Sequence, residues 1–234
     1  MRIWIPALFA LAACAPGEKA DPGLRGEIGD RARAVIDDAT STRPTPTIPA
    51  DAPVVVFLGD SIAAGLHLPA NQAFPAVLQA DLAARGIPFR LVNAGVSGDT
   101  SAGGLARIDW ILKQQTPAVV VVELGGNDGL RGQELASIEA NLRAIITQCR
   151  DAGAKVLLLG MRIPPSYGKE YSDGFAALYN RLANEMSIAF APHFMDRVGG
   201  VADLTLPDGL HPTARGHELL AENVAPKLTE VLKR

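Results

Sequence analysis

Between Ala52 and the C-terminus, short apolar runs alternate with longer stretches in which apolar residues recur every three or four positions. The runs are Val54-Val55-Val56-Phe57-Leu58, Phe89-Arg90-Leu91-Val92, Val119-Val120-Val121-Val122-Glu123-Leu124 and Ala154 to Leu159. Short, largely β-branched and bordered by Pro or Gly, they read as strands buried on both faces. Helical spacing runs from Ala73 to Arg85, Ser101 to Gln115, Glu134 to Arg150, Asp173 to Phe190 and Thr213 to Lys233. A weak strand around His193-Phe194-Met195 precedes the last helix, and Pro117 stops the second. Strands alternating with helices predict a parallel sheet covered on both faces, a three-layer αβα sandwich.

The first 51 residues have another pattern. Arg2 precedes an apolar stretch, Ile3 to Ala13, that is too short to span a bilayer. It closes on Leu11-Ala12-Ala13-Cys14, which resembles the lipobox of bacterial lipoproteins. That resemblance implies a signal peptide over residues 1–13 and lipid attached to Cys14; an ordinary signal peptide cleaved near Ala10-Leu11-Ala12 is the other reading. Residues 14–51 carry Pro16-Gly17, Pro22-Gly23 and a Thr/Pro-rich run from Thr40 to Pro49, the composition of a flexible tether. Leu24, Ile28, Ala32 and Val35 stand near helical spacing, but Gly26 and Gly29 weaken a helix there. The tether has a reach of roughly 35 Å, and residues 52–234 remain as one domain.

Four polar blocks fall at the strand ends or before the last helix. Gly59-Asp60-Ser61-Ile62 comes after the first strand, Asn93 to Thr100 after the second, and Gly125-Gly126-Asn127-Asp128 after the third. Asp208-Gly209-Leu210-His211-Pro212 precedes the final helix. One serine at a strand end decides nothing, because Ser is also a common turn and cap residue. All four blocks together, in this order, resemble the SGNH (GDSL-type) hydrolase family, and their wording resembles its thioesterase I/lysophospholipase/arylesterase branch. The one departure is Ile62 where the family has Leu. The resemblance implies a flavodoxin-like strand order and an oxyanion hole built from the Ser61 N–H, the Gly98 N–H and the Asn127 amide. It also places an acyl pocket on the loop Met161 to Gly168, with Ile163 and Tyr167 lining it.

The chemistry of the residues agrees. A serine hydroxyl needs a base, and His211 is the candidate, with Pro212 suited to the first helical position. Asp208, three residues earlier, is placed to fix the imidazole tautomer. His67, His193 and His217 are weaker candidates, and Asp60, Asp128 and Glu123 read as structural supports. No His/Cys/Asp cluster has metal-ligand spacing, and no cofactor is expected. Cys149, within a helical pattern, reads as a small buried residue. A formal charge of −3 from 22 basic and 25 acidic residues supplies no patch for nucleic acid. The expected activity is hydrolysis, through an acyl-enzyme on Ser61, of short-to-medium acyl or aryl esters, thioesters or lysophospholipids. Carbohydrate O-deacetylation and non-catalytic binding are the alternatives. The leader implies an exported protein anchored by lipid to the cell envelope. Ala15 after Cys14 lacks the Asp of inner-membrane retention, so resemblance to Gram-negative lipoproteins implies the periplasmic side of the outer membrane.

Overall fold

The computed structural model describes residues 46–234. The leader, Cys14 and most of the 14–51 segment lie outside the described residues.

Five strands form one sheet: β1 (Val54–Gly59), β2 (Arg90–Gly95), β3 (Val119–Glu123), β4 (Lys155–Leu159) and β5 (Ala189–Ala191). Every pairing is parallel, and the order is β2-β1-β3-β4-β5. This is the doubly wound, flavodoxin-like arrangement. All residues of β1 and β3 are buried, which is why both read as unbroken apolar runs rather than alternating ones.

Successive strand residues point to opposite faces, so each run feeds two cores. Val56, Leu58, Val120 and Val122 pack under α3 (Ser101–Gln115), α5 (Leu135–Asp151) and α6 (Lys169–Met186), against Ile108, Leu142, Ile145 and Leu182. Val55, Phe57, Val121 and Leu157 face the opposite layer, α2 (Phe74–Ala84) and α7 (Ala214–Lys233), through Phe74, Leu78, Leu220 and Val224. Phe57 meets Phe74 edge-on at 5.6 Å between ring centres, a favoured aromatic geometry. Two short helices, α1 (Ser61–Ala64) and α4 (Gly126–Leu130), come directly after β1 and β3.

The pattern misplaced one junction. Helix α6 begins at Lys169 and stops at Met186, and Phe190, expected inside it, lies in β5. Ser187, at φ 51°, turns the chain out of the helix, and Leu158 takes Phe190 as its strand partner. The strand expected around His193–Met195 is therefore found earlier, and those residues form turns. A three-residue strand is too short for its period to show.

The strand order reverses between β1 and β3. From β1 the chain crosses to β2 on one side, then returns to β3 on the other. Such a reversal opens a crevice at the carboxyl ends of the strands, the usual ligand site in open α/β sheets. The residues after β1, β2 and β3 carry Ser61, Gly98 and Asn127.

Candidate active site

At the end of β1 there is no room for a side chain. A Cβ on Gly59 would lie 2.4 Å from Glu123 Oε2 and 2.5 Å from the Ala63 Cβ. The chain turns at once into α1, and Asp60 caps it by accepting the Ile62 N–H on Oδ1 at 3.0 Å. Ser61 is the first helical residue and is 7% exposed. Behind it, Glu123 is completely buried, and its Oε2 accepts the N–H groups of Asp60 at 3.1 Å and Ala63 at 3.2 Å. Its Oε1 has no partner among the described residues. Burial first, then the nearby Asp60 charge, pushes the Glu123 carboxyl well above the usual carboxylate range. Glu123 is a buried strut under the Ser61 turn. Burial likewise raises Asp60 to about 6, against the opposing pull of the Ile62 N–H bond.

The expected base, His211, comes from the loop between β5 and α7. Leu206 N–H donates to His211 O at 2.7 Å and Thr205 pairs with Pro212, closing a small antiparallel bridge around the Asp208-Gly209 turn. Pro212 was expected to open the helix; instead Thr213 caps α7, accepting the Gly216 N–H at 3.2 Å, and His211 stands in the bridge outside it. Asp208 accepts three hydrogen bonds: Leu210 N–H at 2.9 Å, His211 N–H at 3.0 Å and His211 Nδ1 at 2.6 Å. The His211 backbone bond, then the ring bond, hold its carboxyl down at about 2. An ionised Asp208 keeps the imidazole proton on Nδ1, so Nε2 is bare. Nε2 lies 2.9 Å from Ser61 Oγ, within reach for taking its proton.

The three expected oxyanion donors come together around Ser61, in two different conditions. The N–H groups of Ser61 and Gly98 have no acceptor among the described residues. Gly98 sits at φ 81°, a left-handed conformation suited to glycine. Asn127 differs: its amide donates to Asp60 Oδ2 at 3.1 Å and to the Asp99 carbonyl at 2.9 Å. Both of its hydrogens have acceptors inside the protein, so one must be released before the amide serves an oxyanion. The turn before it is set by Gly125 at φ 109°, where a Cβ would lie 2.2 Å from the Tyr179 hydroxyl. That hydroxyl donates to Leu124 O at 2.9 Å and pins the end of β3.

One support was not anticipated. Arg107 donates to Asp99 Oδ2 at 2.8 Å, Ala94 O at 2.6 Å and Gly59 O at 3.0 Å, tying the ends of β1 and β2 to the Gly98 loop. In sequence it is one more charged residue on a helix, and only the fold shows what it reaches. Ser101 gives its N–H at 2.8 Å and its hydroxyl at 2.6 Å to Asp128, so that acid is a brace.

A cavity of about 150 Å³ opens at Ser61 and His211, with Leu130, Met161, Ile163, Pro164 and Leu210 in its wall. Ile163, expected in an acyl pocket, is in that wall. Tyr167 is not: it is 41% exposed, and its hydroxyl donates to Leu130 O at 3.0 Å, bracing α4. Cys149 is buried, and desolvation pushes its thiol up to about 12. His217 is also buried, accepts the Phe74 N–H on Nδ1 at 3.0 Å, and is lowered by desolvation to about 4.

Residues 57–219 match the GDSL-like lipase/acylhydrolase family. The chain belongs to that family. Esterase TesA of Pseudomonas aeruginosa is 46% identical over 183 residues, covering 78% of this chain and 91% of the esterase. Thioesterase 1/protease 1/lysophospholipase L1 of Escherichia coli K12 is 40% identical, covering 76% of this chain and 85% of that protein. Among solved structures, esterase EstA of a Pseudoalteromonas species, inhibited by monoethylphosphonate, superposes with a TM-score of 0.74 at 31% identity. The match covers 77% of this chain and 99% of EstA. This member of the family is a carboxylic ester hydrolase.

Proposed function

We propose that Ser61 is the nucleophile, His211 its general base and Asp208 the carboxylate that orients the base. The observation that carries this reading is the unbroken chain from Ser61 Oγ through the ring of His211 to Asp208, at 2.9 and 2.6 Å. As Ser61 Oγ bonds to the substrate carbonyl carbon, its proton passes to His211 Nε2. The imidazolium is stabilised by Asp208, and the carbonyl oxygen takes negative charge beside the N–H groups of Ser61 and Gly98. Asn127 joins them by turning one amide hydrogen from its internal acceptor. The carbon–oxygen bond to the alcohol then breaks, and His211 returns its proton to the leaving oxygen. Water repeats the cycle on the acyl-enzyme and releases the acid.

The apolar wall at Leu130, Met161 and Ile163 suits a short acyl chain. Small acyl and aryl esters, thioesters and lysophospholipids are the substrates this reading favours, in line with the names its relatives bear. Leu11-Ala12-Ala13-Cys14 supports a lipid on Cys14 and attachment to the cell envelope. A fluorophosphonate probe should label Ser61, and labelling should vanish in Ser61→Ala; labelling of another residue, or none, would remove Ser61 from the mechanism. In cells, Cys14→Ser should abolish incorporation of labelled fatty acid. Retained incorporation would sink the anchor.

A further inference from the structure

A second cavity, of about 450 Å³, adjoins the one at Ser61, and the two share Arg162, Ile163, Pro164, Met195 and Leu210 in their walls. The space at Ser61 is below the roughly 300 Å³ at which ligand pockets begin, so one half of an ester must extend into its neighbour. The proton path decides which half, and this step rests on Ser61 and His211 acting as proposed. His211 Nε2 hands its proton to the leaving oxygen, which must therefore sit against that nitrogen. Gly209 and Leu210, directly before His211, line the larger cavity. The leaving alcohol faces it.

The wall of this cavity is mostly apolar with one unneutralised cation. Arg162 has no carboxylate partner among the described residues, and its Nη2 lies 2.9 Å from His193 Nδ1. Accepting there places the proton of a neutral His193 on Nε2, a second donor. Arg197 is tied to Asn223 at 2.9 Å and Glu222 at 3.4 Å, and Asp196 is the one acid in the wall. In a chain of net charge −3, an unpaired guanidinium next to the leaving group selects for negative charge there. We propose that the second cavity receives an alcohol bearing an anionic group, a phosphate or a carboxylate, held by Arg162 with His193 as supporting donor.

The test pairs substrates with and without the anionic group on the leaving alcohol. The butanoate ester of 4-hydroxybenzoate is compared with that of its methyl ester, and 1-acylglycerol 3-phosphate with 1-acylglycerol. In Arg162→Gln, kcat/KM for each anionic substrate should fall about three- to tenfold more than for its neutral twin, mainly through KM. Arg162→Lys should recover part of the difference. Loss confined to the aromatic pair assigns the cavity to small soluble esters, and loss in the glycerol pair to lipid headgroups. An equal fall for both members of each pair overturns the proposal. So does a larger fall for 4-nitrophenyl hemisuccinate, whose anion is on the acyl half. If Arg162→Gln does not fold, the wild-type preference for the anionic twin must still shrink as salt rises, and a salt-independent ratio overturns it. A wild-type chain inactive on every ester would instead defeat the Ser61 assignment.

Discussion

The Ser61 side of the site and the His211 side treat the same functional group in opposite ways. Behind Ser61, two carboxyls are buried: Asp60 is raised to about 6 and Glu123 well above its usual range, both chiefly by desolvation. On the other side Asp208 stands on an exposed turn and is held near 2 by three hydrogen bonds. On the proposed mechanism, hydrogen bonding fixes a charge where an imidazolium forms, while burial disfavours one behind Ser61. Charge in this site is set by surroundings rather than by residue type.

The strongest way to break that comparison is to remove the groups it serves. Ser61→Ala and His211→Ala should each lower kcat by roughly 10⁴–10⁶, measured on a p-nitrophenyl ester. Activity within tenfold of wild type in either variant would defeat the assignment. Asn127→Ala comes next, at roughly 10²–10³ in kcat with little change in KM. A fall in melting temperature with kcat intact would make Asn127 only a brace between Asp60 and Asp99.

A smaller effect sharpens the contrast between the acids. Asp60→Asn keeps an oxygen to cap Ile62 and removes the raised titration. An acid raised in the fold favours the folded state below its unfolded value near 3.8, and that contribution is lost as pH rises through about 6. Asp60→Asn should therefore be more stable than wild type above pH 6, by up to about 3 kcal/mol. It should lose about tenfold in kcat because the hold on Asn127 changes. Denaturant melts at pH 5 and pH 8 read the first effect; an equal difference at both would show that Asp60 does not titrate as its burial requires.

Much of this site could be read in the chain, for a definite reason. β1 and β3 are buried on both faces, so they stand out as apolar runs, and a parallel sheet gathers the loops at their carboxyl ends along one edge. That placement accounts for Ser61, Gly98 and Asn127, and the turn before the last helix adds His211. The features that escaped depend on reach across the fold. Arg107 spans from α3 to β1 and β2, Tyr179 from α6 to Leu124, and neither contact leaves a local trace. Tyr167 was misjudged because loop residues have no period to say which way they face. The β5 junction was lost because Ser187 carries a left-handed turn in a residue that does not advertise one.

The smallest effect on turnover belongs to the other histidine of this region, six residues beyond the base. His217 faces α2 from inside α7, its ring stacked on Phe74 at 6.3 Å and its Nδ1 accepting the Phe74 N–H. It is 1% exposed, and nothing in the mechanism passes through it. His217→Ala should leave kcat of the folded enzyme within about twofold of wild type. It should remove about 2–4 kcal/mol of stability, because a buried N–H loses its acceptor and a cavity opens beside Phe74. Its pH dependence runs opposite to that of Asp60. Held neutral down to about pH 4 when folded but titrating near 6.5 when unfolded, His217 stabilises the fold fully above 6.5. That contribution is lost as pH falls toward 4, by an amount on the order of 3 kcal/mol. The gap in unfolding free energy between wild type and His217→Ala should thus narrow from pH 7 to pH 4.5. A gap that stays constant would mean that His217 is not buried as a neutral ring, and a collapse of kcat in a folded variant would reopen the choice between the two histidines as the base.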